Sequence, residues 1–175
     1  SLLSSAAQVL SSHAALSEHL LRYAKRFFKG ESFQSEAVGG NMKTAIVYYS
    51  KHHENTKKLL DAIAQKYEVT LINVTCPETD DLSEYDFVGF ASGIYYGKMH
   101  KAVLQYAEKN LPEHKKVFFM YTCGIVRAAH TNSIRKIAEE KHAEILGEYG
   151  CIGFDTFGPL KLIGGKGKGH PNAEE

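Results

Sequence analysis

Residues 42–56 read MKTAIVYYSKHHENT, and this stretch decides how the rest of the chain is read. Thr44 to Tyr49 is short, rich in β-branched and aromatic residues and almost unbroken in apolar character, which predicts a strand covered on both faces. It runs into the polar turn Ser50-Lys51-His52-His53-Glu54-Asn55-Thr56, then into Leu59, Leu60, Ile63, Ala64 and Tyr67, an apolar stripe at helical spacing. The same succession recurs downstream. Further strands are predicted over 69–74, 87–92, 117–122 and 145–152, with helical stripes at Val103, Tyr106 and Ala107 and at Ile134, Ile137 and Ala138. Strand–helix–strand units with short joints imply right-handed crossovers and a parallel sheet covered on both sides. The expected fold class is α/β: an open, doubly wound five-stranded sheet in a three-layer sandwich.

The remaining arithmetic narrows the class. At 175 residues and 19.5 kDa the chain is one domain's worth, and a chain of that size buries roughly 70% of its unfolded surface. Apolar residues at 43% and charged residues at 23% exclude a disordered or collagen-like chain. No apolar run approaches the roughly 20 residues of a membrane span, and a net charge of +1 provides no pull toward nucleic acid. Cys76, Cys123 and Cys151 lack C-x-x-C spacing, which argues against a disulfide scaffold or zinc site and for a reducing, cytoplasmic setting.

Residues 1–41 have a different texture. Serine is frequent, and the segment closes on Gly39-Gly40-Asn41, a flexible joint before Met42. Leu16, Leu20, Tyr23, Ala24, Phe27 and Phe28 predict one amphipathic helix over about 13–29, with Gly30 as its C-terminal cap. It packs on its own domain or, given Arg22, Lys25, Arg26 and Lys29, on a membrane surface or partner; the remaining reading is a disordered tag. The organisation expected is an N-terminal segment over 1–41 and an α/β domain over 42–175.

In such sheets ligands sit outside the carboxyl ends of the strands, where the strand order reverses. Three loops fall there. In the first, residues 50–56, hydroxyl and amide side chains at a helix N-terminus suit a phosphate, although a simple polar cap reads the same way. It is neither a P-loop nor a G-x-G-x-x-G turn. The second, Ser92-Gly93-Ile94-Tyr95-Tyr96-Gly97, brackets a tyrosine pair with glycines, so that backbone can approach a flat ligand and a phenol ring can cover it; an ordinary turn with surface tyrosines is the alternative. The third is Thr122-Cys123-Gly124, where Cys123 reads as a small packing residue, since no base stands beside it. No histidine pair among His52, His53, His100, His130 and His170 has metal-ligand spacing on one helix, so no metal is expected.

Together the strand TAIVYYS with its loop SKHHENT, the turn FASGIYYGKMH, the strand VFFMYTCG and the tail GCIGFDTFGPLKLIGGKGKGHPN resemble the flavodoxin family over residues 42–172. The resemblance implies strand order 2-1-3-4-5 and non-covalently bound FMN. By resemblance Ser50, His52, His53, Asn55 and Thr56 hold the phosphate, while Ser92, Gly93, Ile94, Tyr95, Tyr96 and Gly97, with Thr122, Cys123 and Gly124, line the isoalloxazine ring. Two departures stand out: the usual glycine before Asn-Thr is Glu54, and the loop is one residue longer.

Chains of this type continue past His-Pro-Asn into a final helix beside the first, whereas this one stops at Glu175. Residues 16–30 look like that helix, and the 11 residues from 31 to 41 reach about 35 Å extended, enough to bridge to strand one. The expectation is a circular permutation, with a domain-swapped dimer as its variant. The function implied is FMN-dependent electron transfer with a redox partner protein or a small-molecule acceptor. The alternative is an FMN-dependent oxidoreductase acting on a quinone, nitro compound or porphyrinogen. A receiver-type binding module is excluded, because strands one and three end in Tyr49-Ser50 and Ala91-Ser92 rather than in acidic residues.

Overall fold

Side chains along the central strands alternate between two apolar cores, and this alternation organises the molecule. The computed structural model describes residues 43–51, 54–65, 67–76 and 81–152. Strands β1 (Thr44–Tyr49), β2 (Thr70–Asn73), β3 (Phe87–Tyr95), β5 (Lys116–Cys123) and β6 (Glu144–Ile152) form a parallel sheet in the order β2-β1-β3-β5-β6. The two-residue strand β4 (Lys98–Met99) pairs antiparallel with the end of β3, as Ile94↔Met99 and Tyr95↔Lys98. With β4 set aside, this is the expected order 2-1-3-4-5. The strand cores lie where the sequence puts them, each shifted by at most three residues at an end.

Successive residues of a strand face opposite sides. Ala45 and Val47, Val88 and Phe90, and Val117 and Phe119 enter one core. Ile46 and Tyr48, Phe87 and Ala91, and Phe118 and Met120 enter the other. Both faces are therefore dry, which is why β1, β3 and β5 read as continuous apolar runs. Helix α1 (Asn55–Ala64) closes the second core with Leu59, Leu60 and Ile63. Helices α2 (Lys101–Asn110) and α3 (Asn132–Glu140) close the first with Val103, Ala107, Ile134, Ile137 and Ala138. Among the described residues no helix is long and apolar enough to cross a membrane. The helix expected over 13–29, the joint up to residue 41, and the tail from 153 lie outside the described residues, as do His52 and His53.

Gly89 is required by packing at the centre of the sheet. A Cβ added there would lie 2.5 Å from Cζ of Phe118 and 3.2 Å from Cγ1 of Ile46, both buried. Gly89→Ala is expected to lower stability by about 1–3 kcal/mol through overpacking, read as a lower urea midpoint at unchanged slope.

Candidate functional site

The strand order reverses between β1 and β3, the place where open α/β sheets take ligands in a crevice between diverging loops. Three connections leave this end of the sheet: the one from β1 to α1, of which Ser50, Lys51 and Glu54 are described, the hairpin turn between β3 and β4, and residues 124–127 after β5.

Where β1 ends, Ser50 Oγ accepts a hydrogen bond from the Lys57 backbone N–H at 3.2 Å, folding the loop onto the first turn of α1. Glu54 occupies the N-cap with φ +52° and ψ +26°, and its side chain makes no capping bond. This left-handed conformation costs a non-glycine residue roughly 1–2 kcal/mol. The first turn of α1 carries no acidic residue, so its N-terminal dipole is met by no carboxylate from within the helix. Asn55 and Thr56 are buried, and Thr56 Oγ1 lies 2.9 Å from Thr122 Oγ1 at the end of β5. That contact ties the first loop to the third from below.

The hairpin turn is Tyr96-Gly97, with φ +52° and +81°. Positive φ at both central residues marks a type I′ hairpin, which asparagine and glycine adopt readily and tyrosine does not. The Tyr96 ring is 87% exposed. Ser92 is fully buried; its hydroxyl donates to the Gly93 carbonyl at 2.6 Å and accepts from the His100 N–H at 3.0 Å. Ser92 and Thr122 thus act as struts beneath the crevice. Gly93, Ile94 and Tyr95 are half-buried along the last residues of β3, as are Cys123 and Gly124 at the end of β5. The Cys123 thiol points at the Cys151 carbonyl, 3.8 Å away.

An aromatic cluster that the sequence does not reveal sits at the strand ends. Tyr49 stacks on His100 with centroids 3.6 Å apart and planes 3° off parallel, and Tyr95 meets His100 edge-on at 4.9 Å. His100 Nδ1 caps α2 by accepting from the Ala102 N–H at 3.2 Å, so the ring is a neutral imidazole with its proton on Nε2. Burial, reinforced by the neighbouring Lys101 and Lys51 cations, pushes its pKa down. No spacing rule links Tyr49 to His100; only the β1–β3 register, which ends at Tyr49↔Ser92, makes them neighbours. Among the described residues no three metal-ligating side chains converge.

Residues 46–152 match the flavodoxin domain family. The chain belongs to that family. An uncharacterized protein of Methanocaldococcus jannaschii is 38% identical over 136 residues, covering 77% of this chain and 91% of the relative. Among solved structures, a flavodoxin from the domain Archaea superposes with a TM-score of 0.53 at 21% identity, over 62% of this chain and 83% of that one. The two-electron reduced flavodoxin of Megasphaera elsdenii gives 0.52 at 18% identity, over 62% and 85%. At those identities the two flavodoxins speak for the fold.

The lowered pKa of His100 has a definite consequence for this family member's stability. The unfolded chain binds the proton more readily, so the His100 contribution is complete above the ordinary imidazole pKa of about 6.5 and is lost as pH falls through the lower folded value. His100→Asn keeps a capping acceptor and removes the titration. Its unfolding free energy is expected to fall less steeply than the parent's between about pH 7.5 and 5.5, compared by urea titration across that range.

Proposed function

We propose that this chain binds FMN in the β1/β3 crevice and passes electrons between partners. The observation that carries the reading is the donor set at the start of α1: a helix N-terminus whose N-cap residue, Glu54, makes no capping bond, the Ser50 hydroxyl folded over it on the Lys57 N–H and a position at the strand-order reversal. A phosphate monoester suits that chemistry. Ser50, Asn55 and Thr56 would hold the phosphate end, with His52 and His53 assigned there by resemblance. The Tyr95–Gly97 turn and residues 122–124 would flank the ring. Bound there, FMN supplies the one- or two-electron chemistry, and the protein contributes orientation and electrostatics. Lys51, after β1, and Lys98, in β4, are exposed and favour an anionic ligand. The Glu54 carboxylate opposes it.

The test is the visible spectrum of the purified chain after FMN is added and excess removed by desalting. Retained bands near 370 and 450 nm (about the free-flavin positions) are expected, with tighter retention by Glu54→Gly, which relieves the left-handed strain and removes the opposing charge. A colourless protein overturns the reading. Steady NAD(P)H oxidation by the loaded protein alone identifies an oxidoreductase instead of a carrier.

We also propose that the N-terminal segment, with its helix over about 13–29, covers the sheet beside α1. Two helices close one face of the sheet, whereas among the described residues α1 alone lies on the other. It packs over β1, β2, β3 and β5, yet Tyr149 and Cys151 of β6 are buried on that side too. Such a face left bare would be a large apolar patch. Removing residues 1–41 is expected to give a chain that binds a hydrophobic dye and unfolds at a lower urea midpoint. An unchanged midpoint overturns the assignment.

A further inference from the structure

We infer that His130 is a positioning residue that straps together the two loops flanking the proposed flavin ring. The inference rests on the FMN reading for its effect on cofactor binding, but the strap is a feature of the protein itself. His130 lies in a short 3₁₀ turn, Ala128–Thr131, between β5 and α3, and is buried despite being an imidazole. Its Nδ1 is 3.1 Å from the carbonyl oxygen of Gly97, in the β3–β4 turn. Its Nε2 is 2.9 Å from the carbonyl oxygen of Ile125, in the loop after β5. Carbonyl oxygens only accept, so the ring donates to whichever carbonyl its tautomer serves, and to both when protonated.

The two loops differ in how they are held. The loop after β5 has supports from its own neighbourhood: the Tyr121 hydroxyl donates to the Arg127 carbonyl at 3.3 Å, and Thr131 Oγ1 donates to the Ala128 carbonyl at 3.1 Å. Tyr121 also packs edge-on against the His130 ring, 5.6 Å between centroids. The Tyr96-Gly97 turn belongs to a different crossover and is strained, with a non-glycine residue at φ +52° and its ring in solvent. A Cβ added at Gly97 would meet nothing within 4 Å. Pairing with β3 at Tyr95↔Lys98 and the buried Met99 hold the base of the turn, and the His130 ring, with a proton on Nδ1, adds a hydrogen bond to the Gly97 carbonyl at its tip. Tyr96, Ile125 and Val126, the exposed large apolar residues among those described, ride on these two loops. The ring of one buried histidine thereby sets the width of the apolar lip, a preorganisation that a flat ligand held between the loops exploits.

His130→Phe keeps the ring and its contact with Tyr121 while removing both nitrogens; His130→Gln restores a donor. Two measurements decide the matter. In the FMN-free protein, amide hydrogen exchange at residues 96–98 and 124–127 is expected to accelerate together in His130→Phe and to be partly restored in His130→Gln. In the loaded protein, His130→Phe is expected to bind FMN about tenfold more weakly, from the loss of the imidazole hydrogen bond between the loops, with a shifted visible band and midpoint potential. Gly89→Ala, which destabilises the sheet far from these loops, serves as the control and should leave FMN affinity unchanged. Unchanged exchange in the hairpin turn, or wild-type affinity and potential in His130→Phe, overturns the strap. If the wild-type chain holds no FMN, the flavin reading fails and exchange alone decides: joint acceleration in both loops upholds the strap, and acceleration in 124–127 alone overturns it. Should His130→Phe fail to fold, the same comparison is made with His130→Gln, for which smaller effects of the same sign are expected.

Discussion

Six residue pairs, from Thr44↔Phe87 to Tyr49↔Ser92, hold β1 parallel to β3, and the chain turns in opposite directions on either side of that seam. β2 returns to the far side of β1, while β5 and β6 extend beyond β3. The crossover helices accordingly fall on opposite faces, α1 on one and α2 and α3 on the other. In sheets of this kind the loops above such a seam diverge, which makes it the expected ligand position. A one-residue slip in this register would exchange every side chain of β1 between the two cores. It would also part Tyr49 from His100, whose rings now stack. Fold and site therefore share one constraint, the two-sided burial of the central strands.

Above the seam the bordering loops are fixed by a few side-chain contacts that join different crossovers. Thr56 reaches Thr122, Ser92 reaches the His100 backbone, and His130 reaches Gly97. Each is buried or half-buried, where a hydrogen bond left unmade is costly. Local backbone strain sits alongside them, at Glu54 and Tyr96. Strained residues persist only where surrounding structure holds them, and both of these border the crevice. The other two left-handed non-glycine residues among those described, His114 and His142, precede β5 and β6 at the opposite end of the sheet and stack on each other.

Much of the fold is legible in the amino-acid sequence. The apolar runs and helical stripes place all five long strands and all three described helices, because two-sided burial leaves so strong a compositional trace at Ala45–Val47, Val88–Ala91 and Val117–Tyr121. The resemblance carried by residues 50–56 and 92–97 points to the family, and the match over residues 46–152 bears this out. What the sequence does not display is local and geometric. The short strand β4 has only two residues and no alternation to detect. Its turn is Tyr-Gly, where the usual hairpin signal is Asn-Gly or Asp-Gly.

The candidate site divides in the same way. Sequence by itself determined which loops follow the carboxyl ends of the strands, since that comes from the order of strands and helices, and ligands meet such sheets at strand ends. It also exposed Glu54 as the departure from pattern. Tertiary structure alone decided what each residue does there: that Ser92 and Thr122 spend their hydroxyls inside the protein, that Tyr49 and His100 stack, and that His130 links two loops, reaching 33 residues back to Gly97 and 5 residues back to Ile125. The physical reason is range. Burial and backbone propensity act on neighbours along the chain and leave a periodic record, whereas a hydrogen bond between crossovers depends on register, twist and loop length together and leaves none.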